Sequence, residues 1–386
     1  MQTVYALEPL PTKFRKTLFL AGPTPRNNGR NATSWRPEAL RLLEELGYDG
    51  VVFVPEDRSG EFHGDYIGQV DWEHQARAMA DVIVFWVPRE IETMPGFTTN
   101  VEFGLDAAGG KAILGAPPDA PKLNYLRHTA TMTHYQIPHF DNLPDTLAAA
   151  VKRLGEGALR TDGECQVPLA VWETASFQNW YQAQRGAGNR LDGARVEWSF
   201  YTTHGRNLFC WALHVDVYVA REDRNKVNEV IIGRPDVVMV VLYGGHRMYE
   251  QVETPIVLVR EFRSTASTAD GYIYDLPGGS TWKVGPTPLE IAVEELFEET
   301  GFAIAPERLR DLGKAQLAGT FATHQATVFA AQITNDEVQL FRDQAGIVHG
   351  NEGDSERTYV EVVTLGAVGN YVDWSTYGMI ARAVKG

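Results

Sequence analysis

Over its first 154 residues the chain alternates short apolar runs with stretches of helical period. Residues 18–21, 51–54, 82–87 and 112–115 are apolar at successive positions rather than at every second one, which predicts strands covered on both faces. Between them, residues 34–46 place Leu40, Leu42, Leu43 and Leu46 at helical spacing, and helices are also predicted over 72–79 and 100–108. Strand, helix, strand in this order predicts a doubly wound α/β fold with a parallel sheet, whose ligands bind at the carboxyl ends of the strands. From about 155 to 193 the pattern weakens through GEGALRTDGECQ, a Trp- and Gln-rich stretch and RGAGNRLDG, and reads as a linker with some helix. After Leu191 it turns to strands, alternating over 211–220 and apolar over 237–243 and 256–262, with one strong helix at 288–300. That is the grammar of a second, α+β domain over 194–386.

Length and charge narrow the possibilities. A chain of 386 residues suggests two or three domains, and 44% apolar with 22% charged residues provides for both cores and a solvated surface. Lys and Arg number 35 against 50 Asp and Glu, so the net charge of −15 repels a phosphate backbone and excludes a nucleic-acid polymer as partner. Small nucleosides and nucleotides remain, because local donors or a metal can hold them. Two cysteines, Cys165 and Cys210, make neither a disulfide framework nor a zinc site, which fits a reducing compartment. No apolar run is long enough to span a bilayer and the N-terminus lacks a signal-peptide core, so a soluble, cytoplasmic protein is expected.

The helix at 288–300 has its own start and stop signals: Thr287 as N-cap, Pro288 at the first position, Glu290 three residues after the cap, and Gly301 beyond the end. Glu295, Glu298 and Glu299 fall on neighbouring surface positions, where they repel unless a hard divalent cation lies between them. With Asp275-Leu276-Pro277-Gly278-Gly279 just upstream, residues 276–302 resemble the Nudix hydrolase box, whose second half is matched by Glu294-Glu295-Leu296-Phe297-Glu298-Glu299-Thr300-Gly301-Phe302. The resemblance implies a Nudix fold and Mg²⁺ or Mn²⁺ held by Glu295, Glu298 and Glu299, with Gly278 as a further ligand and Glu298 serving the activated water. The strand at 257–263 before YDLPGG resembles the ADP-ribose and sugar-nucleotide pyrophosphatase branch. That likeness implies substrate contact by Arg263 and a late catalytic glutamate, Glu352 or Glu356. The family arginine falls on Glu294, and an earlier family glutamate on Pro286.

In the first domain, the strand at 18–21 runs into Gly22-Pro23-Thr24-Pro25-Arg26-Asn27-Asn28-Gly29-Arg30-Asn31, a loop with the glycines and donors to cradle a ribose or 5′-phosphate. Asp81 precedes the third strand. Asn100 reads as an N-cap that places Glu102 in a first helical turn, where the macrodipole favours an ionised carboxylate. Such a group is a competent nucleophile towards an anomeric carbon. For Trp35, Trp72 and Trp86 core packing is the commoner fate, with base stacking as the alternative. The Ala-Gly-Pro after the first strand, Asp81, and Asn100-Val101-Glu102-Phe103-Gly104 together resemble nucleoside 2-deoxyribosyltransferases and their N-glycosidase relatives, over residues 17 to about 150. The resemblance implies a Rossmann- or flavodoxin-like fold, Glu102 as nucleophile, Asp81 assisting at the base, Gly22, Pro23, Arg26 and Asn27 at the nucleoside, and a homo-oligomer.

Together these readings predict a bifunctional nucleotide-processing enzyme. One domain cleaves or exchanges the base of a nucleoside or its monophosphate, and the other hydrolyses a nucleoside diphosphate derivative. Two alternatives stand beside it: an enzyme of NAD and ADP-ribose metabolism, and a degenerate Nudix domain that senses a nucleotide for the first domain.

Overall fold

The computed structural model describes residues 1–25, 33–59, 65–132, 135–202, 207–245, 251–281, 285–350 and 356–385. The chain divides into two units, Met1–Gly233 and Arg234–Gly386. The division falls between Gly233 and Arg234, well after the boundary at 194 expected from the sequence.

The first unit opens with β1 (Gln2–Tyr5), the short β2 (Lys13–Phe14) and β3 (Thr17–Ala21), followed by α1 (Arg36–Glu45), β4 (Val51–Val54) and α2 (Tyr66–Met79). Then come β5 (Val82–Trp86), α3 (Phe97–Asp106), β6 (Ala112–Gly115), α4 (Asn124–Thr131), β7 (His139–Phe140) and α5 (Leu143–Leu154). The six strands other than β2 form a parallel sheet in the order β1-β4-β3-β5-β6-β7. Every residue of β3, β4, β5 and β6 is buried, as the uninterrupted apolar runs predict for strands roofed on both sides. Helices α2, α3 and α4 cover one face through Trp72, Phe103 and Leu126, and α1 and α5 cover the other through Leu43 and Leu147. The chain leaves β3 to one side and crosses back to β5 on the other. Its switch point, where such sheets bind ligands, therefore lies at the carboxyl end of β3.

Residues 155–193 are more ordered than a linker. β8 (Arg160–Thr161) pairs with β2, and α6 (Leu169–Trp172) and α7 (Ala175–Gly186) follow. They pack on an antiparallel sheet of β9 (Arg190–Tyr201), β10 (Leu208–Val219) and β11 (Arg224–Gly233). Phe177 and Tyr181 of α7 meet Trp211, Leu213 and Val215 of β10 in a core of their own, which is why the unit extends to Gly233.

The second unit is a mixed, largely antiparallel sheet of β12 (Val237–Gly244), β13 (Pro255–Phe262), β14 (Tyr272–Asp275), β15 (Gly278–Ser280), β16 (Arg310–Gln316), β17 (Gln325–Ile333), β18 (Val348–His349) and β19 (Thr358–Thr364). Helices α8 (Pro288–Thr300) and α9 (Asn335–Asp343) cover one face, and α10 (Trp374–Lys385) the other. Helix α8 has the predicted ends: Thr287 and Glu290 form a reciprocal capping box, and Gly301 adopts a left-handed φ of 67°. Among the described residues no helix is long and apolar enough to cross a membrane, and Cys165 and Cys210 are not joined in a disulfide.

Candidate active site

At the switch point of the first unit lies a cavity of about 500 Å³. Its floor is Gly22, Pro23 and Thr24 at the end of β3 with Pro55 after β4; its walls are α2, through Tyr66, Gln69, Glu73, His74 and Arg77, and α3, through Phe97, Val101, Glu102 and Leu105. Gly22 has no room for a side chain: its φ is +150°, and a Cβ there would lie 2.1 Å from the Trp86 carbonyl oxygen. The close approach of β3 to the end of β5 thus depends on glycine.

Glu102 faces this cavity, as the sequence reading expects, but for a different reason. Helix α3 begins at Phe97 behind a left-handed Gly96 at φ 62°, so Asn100 is not its N-cap and Glu102 is not in its first turn. The macrodipole acts only on the terminal turn and does little for this carboxylate. Burial pushes the Glu102 pKa up to about 7, repulsion from Glu73 adds to the rise, and Arg77 and Arg36 act against it. Glu73 is the residue the motifs miss. It stands mid-helix in WEHQAR, and its signal was the four-residue spacing to Arg77 on one face of α2. Two carboxylates, Glu73 and Glu102, thus line one pocket.

The cationic groups of the cavity are already engaged. Arg36, 1% exposed, donates to the carbonyls of Leu20 and Gly22, to Thr24 Oγ1 and to Glu56 at 2.5 Å. Arg77 donates to Asp106 at 2.9 Å and approaches His74 Nδ1 at 3.1 Å. Of the predicted substrate-binding residues, Gly22 and Pro23 line the cavity, whereas Arg26 and Asn27 lie outside the described residues.

Asp81 is a correction. It precedes β5, at the amino ends of the strands, and is not among the residues lining the cavity. Its carboxylate is buried against Arg160 in two hydrogen bonds of 2.8 and 2.6 Å and also accepts from the Thr17 and Leu169 backbone N–H groups. It is a structural ion pair, remote from Glu102. The three tryptophans are core residues, as expected, 7–8% exposed: Trp72 packs edge-on to Phe53 and Trp35 donates to the Pro23 carbonyl.

In the second unit, the Glu299 carboxylate is buried and accepts from the Gly278 N–H at 2.8 Å. Burial holds its pKa well above the usual carboxylate range, with Glu356, Glu295 and Glu261 adding repulsion. Glu295 lies against Gly279, where an added Cβ would meet its Cδ at 2.2 Å. Arg263 pairs with Glu261 at 2.6 Å and reaches Glu356 at 3.8 Å. Glu352 lies outside the described residues. Glu298 is half-buried on α8. Gly278 engages Glu299 through its N–H, and among the described residues no three His, Cys, Asp or Glu side chains converge on a metal position. Glu295, Glu298 and Glu299 thus lie on one helix, with Glu299 the buried member.

No curated protein matches the chain. Residues 15–120, a stretch that contains every residue lining the cavity, match the family model described as nucleoside 2-deoxyribosyltransferase like, and this part of the chain is a nucleoside 2-deoxyribosyltransferase-like domain.

Proposed function

We propose that the first unit cleaves the N-glycosidic bond of a nucleoside or its 5′-monophosphate, with Glu102 as nucleophile and Glu73 beside it in the same cavity. The observation that carries this reading is the pair of carboxylates in one cavity of about 500 Å³, a size that suits a nucleoside. A Glu102 carboxylate oxygen attacks C1′, the C1′–N bond breaks, and its electron pair leaves with the base, which takes a proton from solvent. Water or a second base then attacks C1′ and frees Glu102. The test is release of free base from a panel of nucleosides and monophosphates. Wild type releases base and Glu102→Gln is slower by about 10³-fold or more; no release from any substrate, or equal rates, rejects the reading.

A second reading concerns Arg234–Gly386: a Nudix-type module that binds a nucleoside diphosphate derivative. The buried Glu299 among Glu261, Glu295 and Glu356 supports it. Hydrolysis belongs to this module only where Mg²⁺ or Mn²⁺ draws Glu295, Glu298 and Glu299 together. Calorimetry with ADP-ribose, with and without Mg²⁺, alongside an assay for AMP, separates the outcomes. Binding without AMP marks a sensor, AMP marks a hydrolase, and no heat in either condition removes the reading.

A further inference from the structure

Helix α3 carries Glu102 but is held by little packing. Of its ten residues only Thr99 and Phe103 are buried, and Phe97, Val101 and Leu105 form a stripe 63–66% exposed. A reacting carboxylate has to be held to about 0.5 Å, which two buried side chains alone do not ensure. Two buried arginines add attachments to α3, at Asp106 and at Asn100, on either side of Glu102 in the sequence. Arg77, 6% exposed, reaches from α2 to Asp106 at 2.9 Å. Arg89, 5% exposed, lies between β5 and α3, in a strap closed by a bridge between Glu90 and Met94. It donates from Nη2 to Asn100 Oδ1 at 2.5 Å and from Nη1 to the Lys122 carbonyl at 2.8 Å.

Arg89 is an expensive way to fill this position. Among the described residues it has no carboxylate partner, and its buried Nε has no acceptor. Burial lowers its pKa. An uncompensated buried cation costs stability, and an apolar residue of similar volume does not incur that cost. What a guanidinium alone provides is a rigid fork that joins the strap, α3 and the turn at Lys122.

We propose that Arg89 is a positioning residue for Glu102, acting through Asn100 by fixing the back of α3 so that its front presents the carboxylate to the cavity. The proposal rests on the N-glycosidic reading above. Its test compares Arg89→Met, Asn100→Ala, the double variant and Arg89→Lys for kcat and KM of base release, each well below its own melting temperature. Both single variants lose roughly 10- to 100-fold in kcat, with KM within about twofold because neither residue lines the cavity. The double variant is no slower than the slower single one, and Arg89→Lys falls in between. Losses that multiply in the double variant, or a lower melting temperature with kcat unchanged, overturn the proposal. Asn100 is exposed, so Asn100→Ala carries the test if Arg89→Met does not fold. If wild type releases no base at all, the N-glycosidic reading fails by itself. The clamp is then read from hydrogen exchange, where unchanged protection of α3 amides in Asn100→Ala refutes it.

Discussion

Glu102 shows how one environment sets both reactivity and stability. Its folded pKa of about 7 lies above the ordinary 4.5, so the fold prefers the protonated form. The associated stability is full below about pH 4.5 and is lost as pH rises through about 7. Glu102→Gln removes that loss: in urea titrations it should match wild type at pH 4 and exceed it by about 3 kcal/mol at pH 8. Attack needs the ionised carboxylate, so base release should rise with pH through about 7, opposite to the trend in stability. Asp81 tests the other extreme. Asp81→Asn leaves the Arg160 guanidinium buried with a neutral partner, and a loss of about 3–5 kcal/mol in denaturant stability is expected. Base release per folded molecule should be unchanged, because Asp81 is not among the cavity residues.

Elements whose cause is local were legible in the sequence. β4 and β6 have the expected bounds, because their continuous apolar runs can be buried only on both faces. α8 also has its expected ends, because Thr287, Pro288, Glu290 and Gly301 act on neighbouring backbone. Elements whose cause is distant were not. α3 starts three residues early, at Phe97, because Gly96 turns left-handed where the strap returns to the sheet, and no period in the sequence marks that turn. Glu73 had only its four-residue spacing to Arg77 as a signal, because its significance lies in facing the cavity from another helix. On α8, the buried Glu299 should respond like Glu102. Its raised pKa means stability lost as pH rises, so Glu299→Gln, which keeps an acceptor for the Gly278 N–H, should raise the melting temperature at pH 8 more than at pH 5. Any Mg²⁺-induced rise in wild type should disappear in the same variant.

At the scale of the whole molecule, the division at Gly233 makes a direct prediction. A chain ending at Gly233 keeps Phe177 and Tyr181 covered by Trp211, Leu213 and Val215 and should melt cooperatively by circular dichroism. One ending at Gly193 uncovers those rings and should aggregate. The stretch 155–193 looked like a linker because its Gly, Gln and charged residues dilute the apolar signal, yet Asp81 holds both Arg160 and the Leu169 N–H. That single carboxylate stitches the stretch beneath the amino ends of the parallel strands. Proteases that cut at joints should therefore leave 160–169 intact, and insertions there should be rejected, although by composition it is among the most permissive-looking parts of the chain.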